Sequence, residues 1–222
     1  MAMPYRPHDL LFARTPAAFR AAGTAPDWVD ADWMARAPLV VRRDTATPGH
    51  IPVGARGPQR NQRCAGELAA ADVARCVTPE RLAAAVLDGP ALDLAAAAGR
   101  LPCIAALLAL APRLRTLGLE WGPAGGAGFW LASGLPVLRP TSDLDLLVRS
   151  PRPLSAASMA ALCAMHGLAG SRIDIQVDTG AGGFALMEYA RGGKTMLKTD
   201  HGPRLVNDPW EPQPQRAASE AA

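Results

Sequence analysis

A chain of 222 residues can build one large domain or two small ones, and 49% hydrophobic residues with only 5% aromatics imply a core of Leu, Val and Ala rather than rings. The formal charge of +3 is carried almost wholly by arginine, since lysine occurs only at Lys194 and Lys198; it suits an anionic ligand or an acidic protein partner and is too weak to indicate nucleic acid. No apolar run approaches the ~18 residues of a membrane span. No charged start leads into a long apolar run, and the four scattered cysteines lack the C-x-x-C spacing of a zinc site. These features place the chain in the cytoplasm, with no membrane and no nucleic acid among its partners.

Residues 1–88 read as a smaller α/β N-terminal domain. "PHDLLFARTPAAFRAA" and "DWVDADWMARA" space their apolar residues as helices do. "PLVVRR" and "HIPVGAR" are β-branched runs on either side of the turn-rich "DTATPG" and predict strands. "RGPQRNQRCAGEL" is polar and basic. Thr78, Pro79 and Glu80 supply the cap, first position and first-turn acid of the helix "PERLAAAVL". Gly89-Pro90 is a break, and residues 89–210 form the second domain. "ALDLAAAAG" and "LPCIAALLALAPRLRTLG" predict helices there. After a glycine-rich loop come the strand "LDLLVR", the helix "SAASMAALCAMHG", and the strands "RIDIQVD", "GFALMEYARG" and "KTMLKT". Residues 211–222 are expected to be a disordered tail. Three of the cysteines fall in apolar, helical-looking stretches and are expected as small buried hydrophobes.

The stretch "RPTSDLDLLVRS" sets two like charges at the mouth of an apolar strand. Residues i and i+2 of a strand share a face, so Asp143 and Asp145 point one way while Leu144, Leu146 and Val148 point into a core. Paired carboxylates repel unless a cation lies between them. "RIDIQVD" repeats the pattern, with Ile173, Ile175 and Val177 on one face and Asp174, Gln176 and Asp178 on the other. If the two strands are neighbours, Asp174 joins the pair. Three carboxylates around two metals suit in-line phosphoryl transfer, with Mg2+ favoured and Mn2+ an equal fit to oxygen ligands. Gly125, Gly126 and Gly128 in "WGPAGGAGF" would let backbone amides approach phosphates.

The order of glycine loop, D-x-D strand, helix and acid-bearing strand resembles the nucleotidyltransferase fold. More narrowly, "WGPAGGAGFWLASGLPVLRPTSDLDLLVR", "RIDIQVDTGAGGFALMEYAR", "LKTDHGPRLVNDPW", "PHDLLF", "PLVVRR" and "VGARGPQRNQR" resemble the malonate decarboxylase holo-acyl-carrier-protein synthases, a family of phosphoribosyl-dephospho-CoA transferases. The resemblance implies a two-domain α+β chain, with a nucleotidyltransferase-like mixed sheet and helices following the smaller α/β domain. It implies a donor, 2′-(5″-triphosphoribosyl)-3′-dephospho-CoA. It also implies a serine of the malonate decarboxylase acyl-carrier subunit as acceptor and diphosphate as leaving group. Asp143 and Asp145 would bridge two metals, and Asp174 would bind the catalytic metal and take or orient the serine proton.

Lys198, with Lys194 four residues before it, is the candidate for the diphosphate. Arg56, Arg60 and Arg63 would hold the triphosphate or grip an acidic carrier. His8 and Asp9 are either a capping pair or ligand contacts; His201 has no ligand spacing, and Trp121 is expected in the core. Where nucleotidyltransferases usually carry Gly-Ser, this chain has Gly125-Gly126, leaving the backbone amide to serve. The longer gap to Asp143 predicts a short helix or hairpin in "FWLASGLPVL". Another nucleotidyltransferase, or a non-catalytic scaffold of the same fold, remain the alternative readings.

Overall fold

The computed structural model describes residues 5–89, 93–167 and 170–211. Pro90 of the expected break, and the expected tail beyond Glu211, lie outside the described residues.

The first half is a sheet. Its strands are β1 (Leu10–Ala13), β2 (Phe19–Ala21), β3 (Leu39–Val41), β4 (His50–Arg56), β5 (Arg63–Ala69) and β6 (Val73–Val77), in the order β2-β5-β4-β3-β1-β6. Every one of its strand pairs is antiparallel. Leu11, Leu39, Ile51, Val53 and Leu68 form its core. The helix expected over "PHDLLFARTPAAFRAA" is instead β1, one tight helical turn and β2. β1 runs between β3 and β6, where Leu10 and Leu11 are buried in the ladder. "DWVDADWMARA" contributes one short helix, α1 (Ala31–Met34), whose Trp33 amide is capped by Asp30 at 2.8 Å.

Three helices follow: α2 (Pro79–Asp88), α3 (Leu94–Ala98) and α4 (Pro102–Thr116). Thr78 caps α2 through the Arg81 amide, as its sequence implies. Ala83 and Val86 of α2 sit in the core of the second half rather than the first.

The second half holds β7 (Glu120–Pro123), α5 (Gly125–Ser133), β8 (Leu144–Arg149), α6 (Ala156–Met165), β9 (Ile173–Asp178), β10 (Gly183–Ala185), α7 (Leu186–Ala190), β11 (Thr195–Thr199) and β12 (Gly202–Val206). Its sheet runs β12-β11-β10-β9-β8-β7 and is mixed: β8 and β9 are parallel and the other pairs antiparallel. A parallel pair needs a crossover, and α6 supplies it. "GFALMEYARG" is a three-residue strand followed by α7 rather than one long strand, and β12 is a strand the sequence did not announce. Cys103 alone of the four cysteines is buried; Cys64 and Cys76 lie in β5 and β6, partly exposed, as is Cys163 in α6. A small apolar cluster of Ala37, Phe129, Leu135 and Val137 joins the halves, with Trp33 packed against it.

Candidate active site

β8 and β9 place Asp145 opposite Asp174 and Arg149 opposite Asp178. Leu144, Leu146, Val148, Ile173, Ile175 and Val177 enter the core of the second half. Alternation therefore turns Asp145, Leu147 and Arg149, with Asp174, Gln176 and Asp178, to the opposite face, toward the first half. Asp143 lies just before β8 and meets Arg60 of the first half at 3.2 Å. Burial first, and then the Asp174 carboxylate, push the Asp145 carboxyl above its ordinary range; the Gly126 amide, bonded to it, pulls the other way, and Asp143 adds to the rise. The structure thus gathers like charges with incomplete compensation.

The glycines lie beside these carboxylates. They form the first turn of α5, whose N-cap, Ala124, offers no side-chain cap. Gly125 has φ +52, and a Cβ there would lie inside the Asp145 carboxylate, so the close approach of the aspartate requires glycine at this position. The Gly126 amide already serves Asp145. A Cβ on Gly126 would stand 3.1 Å from Leu138 Cδ2 and 3.4 Å from Arg56 Nη1. The guanidinium occupies the room a serine would need, which gives a physical reason for Gly-Gly here.

Arg56 ends β4 with 8% of its surface exposed. Its carbonyl accepts a 2.7 Å bond from Trp33 Nε1, its guanidinium lies 5.6 Å from the Phe129 ring centre, and its Nε has no hydrogen-bond partner. Burial and then the neighbouring Arg63 lower its pKa to about 10, against the pull of Asp145. Arg63 is its register partner across β4–β5, and Arg60 sits in the intervening turn. The three arginines are thus brought beside the aspartates. Arg60 is mostly exposed, and so is Arg172, which meets Asp174 at 3.8 Å. Such pairs contribute little and are readily exchanged.

Among the described residues no group of three or more His, Cys, Asp or Glu side chains closes around an ion as it stands. The donors facing one another are nonetheless all carboxylate oxygens, the type that hard divalent cations take.

Lys198 does not join them. It pairs with Gly183, which pairs with Asp178, so it stands at the far end of β9, roughly 13 Å along the strand from the level of Asp174. Lys194 precedes β11 and is exposed, as is His201, while Trp121 is in the core.

At that far end Arg149 and Arg43, which the sequence did not single out, gather Asp9, Glu80 and Asp178, which it named only separately. Arg149, buried, meets Asp178 and Glu80 at 2.6 Å each, and Asp9 and the Pro7 carbonyl at 3.1 Å each. Arg43 meets Asp178 at 2.7 Å. Burial alone would raise the Asp178 carboxyl, but Arg43, the Gly180 amide and Arg149 hold it below the usual range. Asp9 therefore belongs to a lock between the halves. His8 beside it is half-buried at φ 73, and burial, then Arg43 and Arg149, lower its pKa to about 4. The available signal was a charge ending a buried strand, the same anomaly that marked the aspartates at its start.

A mixed sheet whose parallel pair opens onto clustered carboxylates beside a helix N-terminus is the architecture of a nucleotidyltransferase, an enzyme that moves phosphoryl-linked groups. Residues 91–209 match the family model described as phosphoribosyl-dephospho-CoA transferase MdcG C-terminal domain, and residues 6–79 match that of the N-terminal domain. The chain belongs to this family. It is 41% identical over 207 residues to the phosphoribosyl-dephospho-CoA transferase of Klebsiella pneumoniae (strain 342), covering 92% of this chain and 96% of that one. It is 43% identical over 215 residues to the same-named protein of Pseudomonas putida (strain GB-1), covering 96% and 98%. A relative from Pseudomonas aeruginosa is 43% identical over 205 residues, covering 92% and 93%. No solved structure matches. No described helix is long and apolar enough to cross a membrane.

Proposed function

We propose that the chain transfers phosphoribosyl-dephospho-CoA from 2′-(5″-triphosphoribosyl)-3′-dephospho-CoA to a serine of the acyl-carrier subunit of malonate decarboxylase, in the cytoplasm. The observation that carries this reading is the meeting of Asp143, Asp145 and Asp174 with Arg56, Arg60 and Arg63 across the junction of the two halves. Fixed charge of both signs in one place suits a polyanion bound together with cations.

Asp143, Asp145 and Asp174 would hold Mg2+ or Mn2+. Such an ion, when bound, neutralises the triphosphate and lowers the pKa of the attacking hydroxyl. Arg60 would release Asp143 and turn to the triphosphate. Arg56, buried with an unpartnered Nε, would donate to a phosphate oxygen in place of the serine hydroxyl missing at Gly126. Asp174 would take or orient the serine proton. The serine oxygen forms a bond to the α-phosphorus, and the bond from that phosphorus to the bridging oxygen of diphosphate breaks. The free cysteine thiols are in keeping with a reducing compartment.

Intact-mass measurement of the apo carrier after incubation with the donor and Mg2+ tests the reading. The expected result is a mass gain of one prosthetic group on the carrier serine with release of diphosphate. An unmodified carrier in the presence of folded protein rejects it.

A further inference from the structure

The first half turns a shelf toward the second. Leu10, Val40, Gly54 and Ala65 are register partners in one row across β1, β3, β4 and β5. The row shrinks from Leu and Val to Gly and Ala, so over β4 and β5 almost no side chain rises from the sheet. Gly54 has no positive φ that would demand glycine. A Cβ there would stand 3.2 Å from Arg42 Cδ and 3.6 Å from its Cγ, so the glycine lets the Arg42 stem lie low across the shelf, and any larger side chain would push that arginine into the space above. Opposite the shelf lie Pro123, Ala124 and Phe129, and between them is a cavity of about 490 Å3. Its walls are apolar, and Arg42, Arg56 and Arg63 border it.

This slot has two cationic exits. One passes Arg56 and Arg63 to Gly125, against Asp145. The other passes His8 and Arg42 into an adjoining groove of about 470 Å3, which reaches Gln176 and Lys198. Flat apolar walls with guanidinium groups only at the edges suit a planar heteroaromatic ring whose substituents are anionic. An acyl chain would not use the arginines, and a bare triphosphate would not use the walls.

We propose that the slot binds the adenine ring of the donor's dephospho-CoA moiety, and that the 5′-diphosphate of that moiety leaves past Arg42 toward Lys198. This assignment rests on the transferase reading above. The adenosine of the donor carries two anionic arms, the triphosphoribosyl group on its 2′ oxygen and the diphosphate of the pantetheine arm on its 5′ oxygen. The two exits match them, the first leading to the carboxylates and the second to Lys198, which thereby gains a role away from the leaving diphosphate.

The test is calorimetric titration of the full chain with 3′-dephospho-CoA, which lacks the phosphoribosyl and triphosphate groups, in the absence of divalent metal. The wild type is expected to bind it. Gly54→Val raises the shelf floor and is expected to weaken binding about tenfold or more. Ala65→Leu, at an exposed position of the same row, keeps the test intact if Gly54→Val does not fold, and is expected to act in the same direction. Lys198→Ala should weaken binding of 3′-dephospho-CoA and leave that of adenosine unchanged. Failure of the wild type to bind, or wild-type affinity in the folded shelf variants, overturns the slot. Transfer to the carrier with unaltered shelf variants would remove the slot and leave the transferase reading standing; 3′-dephospho-CoA binding that depends on the shelf, without transfer, would do the reverse.

Discussion

The parallel pair β8–β9 carries charges at both ends of one face, and the two ends behave in opposite ways. At the start of the pair two carboxylates, Asp145 and Asp174, stand opposite each other; four residues on, a guanidinium, Arg149, stands opposite a carboxylate, Asp178. Arg149 lies among Asp9, Glu80 and Asp178, with Arg43 and Arg6 alongside, and its charge is fully paired. At the aspartate end the compensating ion pairs come from Arg60 and Arg172, both largely exposed and replaceable. One strand pair thus builds both a lock and the candidate site. The counter-charges decide which is which, and the rigid lock fixes the arginines of the first half over the open end.

Removing the lock should have the largest effect. Arg149→Met leaves three carboxylates without their shared cation, and chemical denaturation should show a loss of about 3–5 kcal/mol. A loss under about 1 kcal/mol would mean the end is not a lock. Asp145→Asn should separate the ends from the other side. Transfer falls about 10²–10³-fold, while the melting temperature holds or rises, because a like charge is removed and the amide oxygen still accepts from Gly126. A lower melting temperature would make Asp145 structural.

Acid should distinguish the groups by sign. Asp178 and Glu80 are held below their ordinary values, so their stabilisation is present above the usual carboxylate range and is lost as pH falls through their folded values. His8 is kept neutral in the fold, so protonation penalises folding progressively from its ordinary 6.5 down to about 4. His8→Asn tolerates φ 73 and should remove this upper step while leaving the lower one. Melts across pH would read both, and an unchanged upper limb would contradict the assignment. The smallest effect belongs to Arg60→Ala. Stability should move by less than about 1 kcal/mol, while the KM for the donor rises several-fold; an unchanged KM would remove Arg60 from the site.

What the sequence disclosed followed from range. The alternation of "LDLLVR" and "RIDIQVD" is local, and it located Asp145, Asp174 and both buried faces before any contact was known. The Thr78 cap is local too. The lock was illegible because the partners of Arg149 lie 140, 69 and 29 residues away. The distance of Lys198 from the aspartates was not legible, because it depends on the register of β9, β10 and β11, which strand alternation alone does not set. The glycine run shows a close backbone approach, but not that Asp145 is what presses against Gly125, because that contact spans two elements. "PHDLLFARTPAAFRAA" fits helical spacing, yet Pro16 interrupts it and the ladder between β3 and β6 buries Leu10 and Leu11 better as a strand.

We propose that the aspartate end, compensated only by the exposed Arg60 and Arg172, takes a divalent cation. Calorimetric titration of Mn2+ in the presence of inorganic triphosphate tests it directly, on the wild-type chain and on Asp145→Asn. Saturable binding by the wild type is expected, with at least a tenfold loss in the variant, roughly 1.4 kcal/mol. Equal binding by the two folded proteins would contradict it.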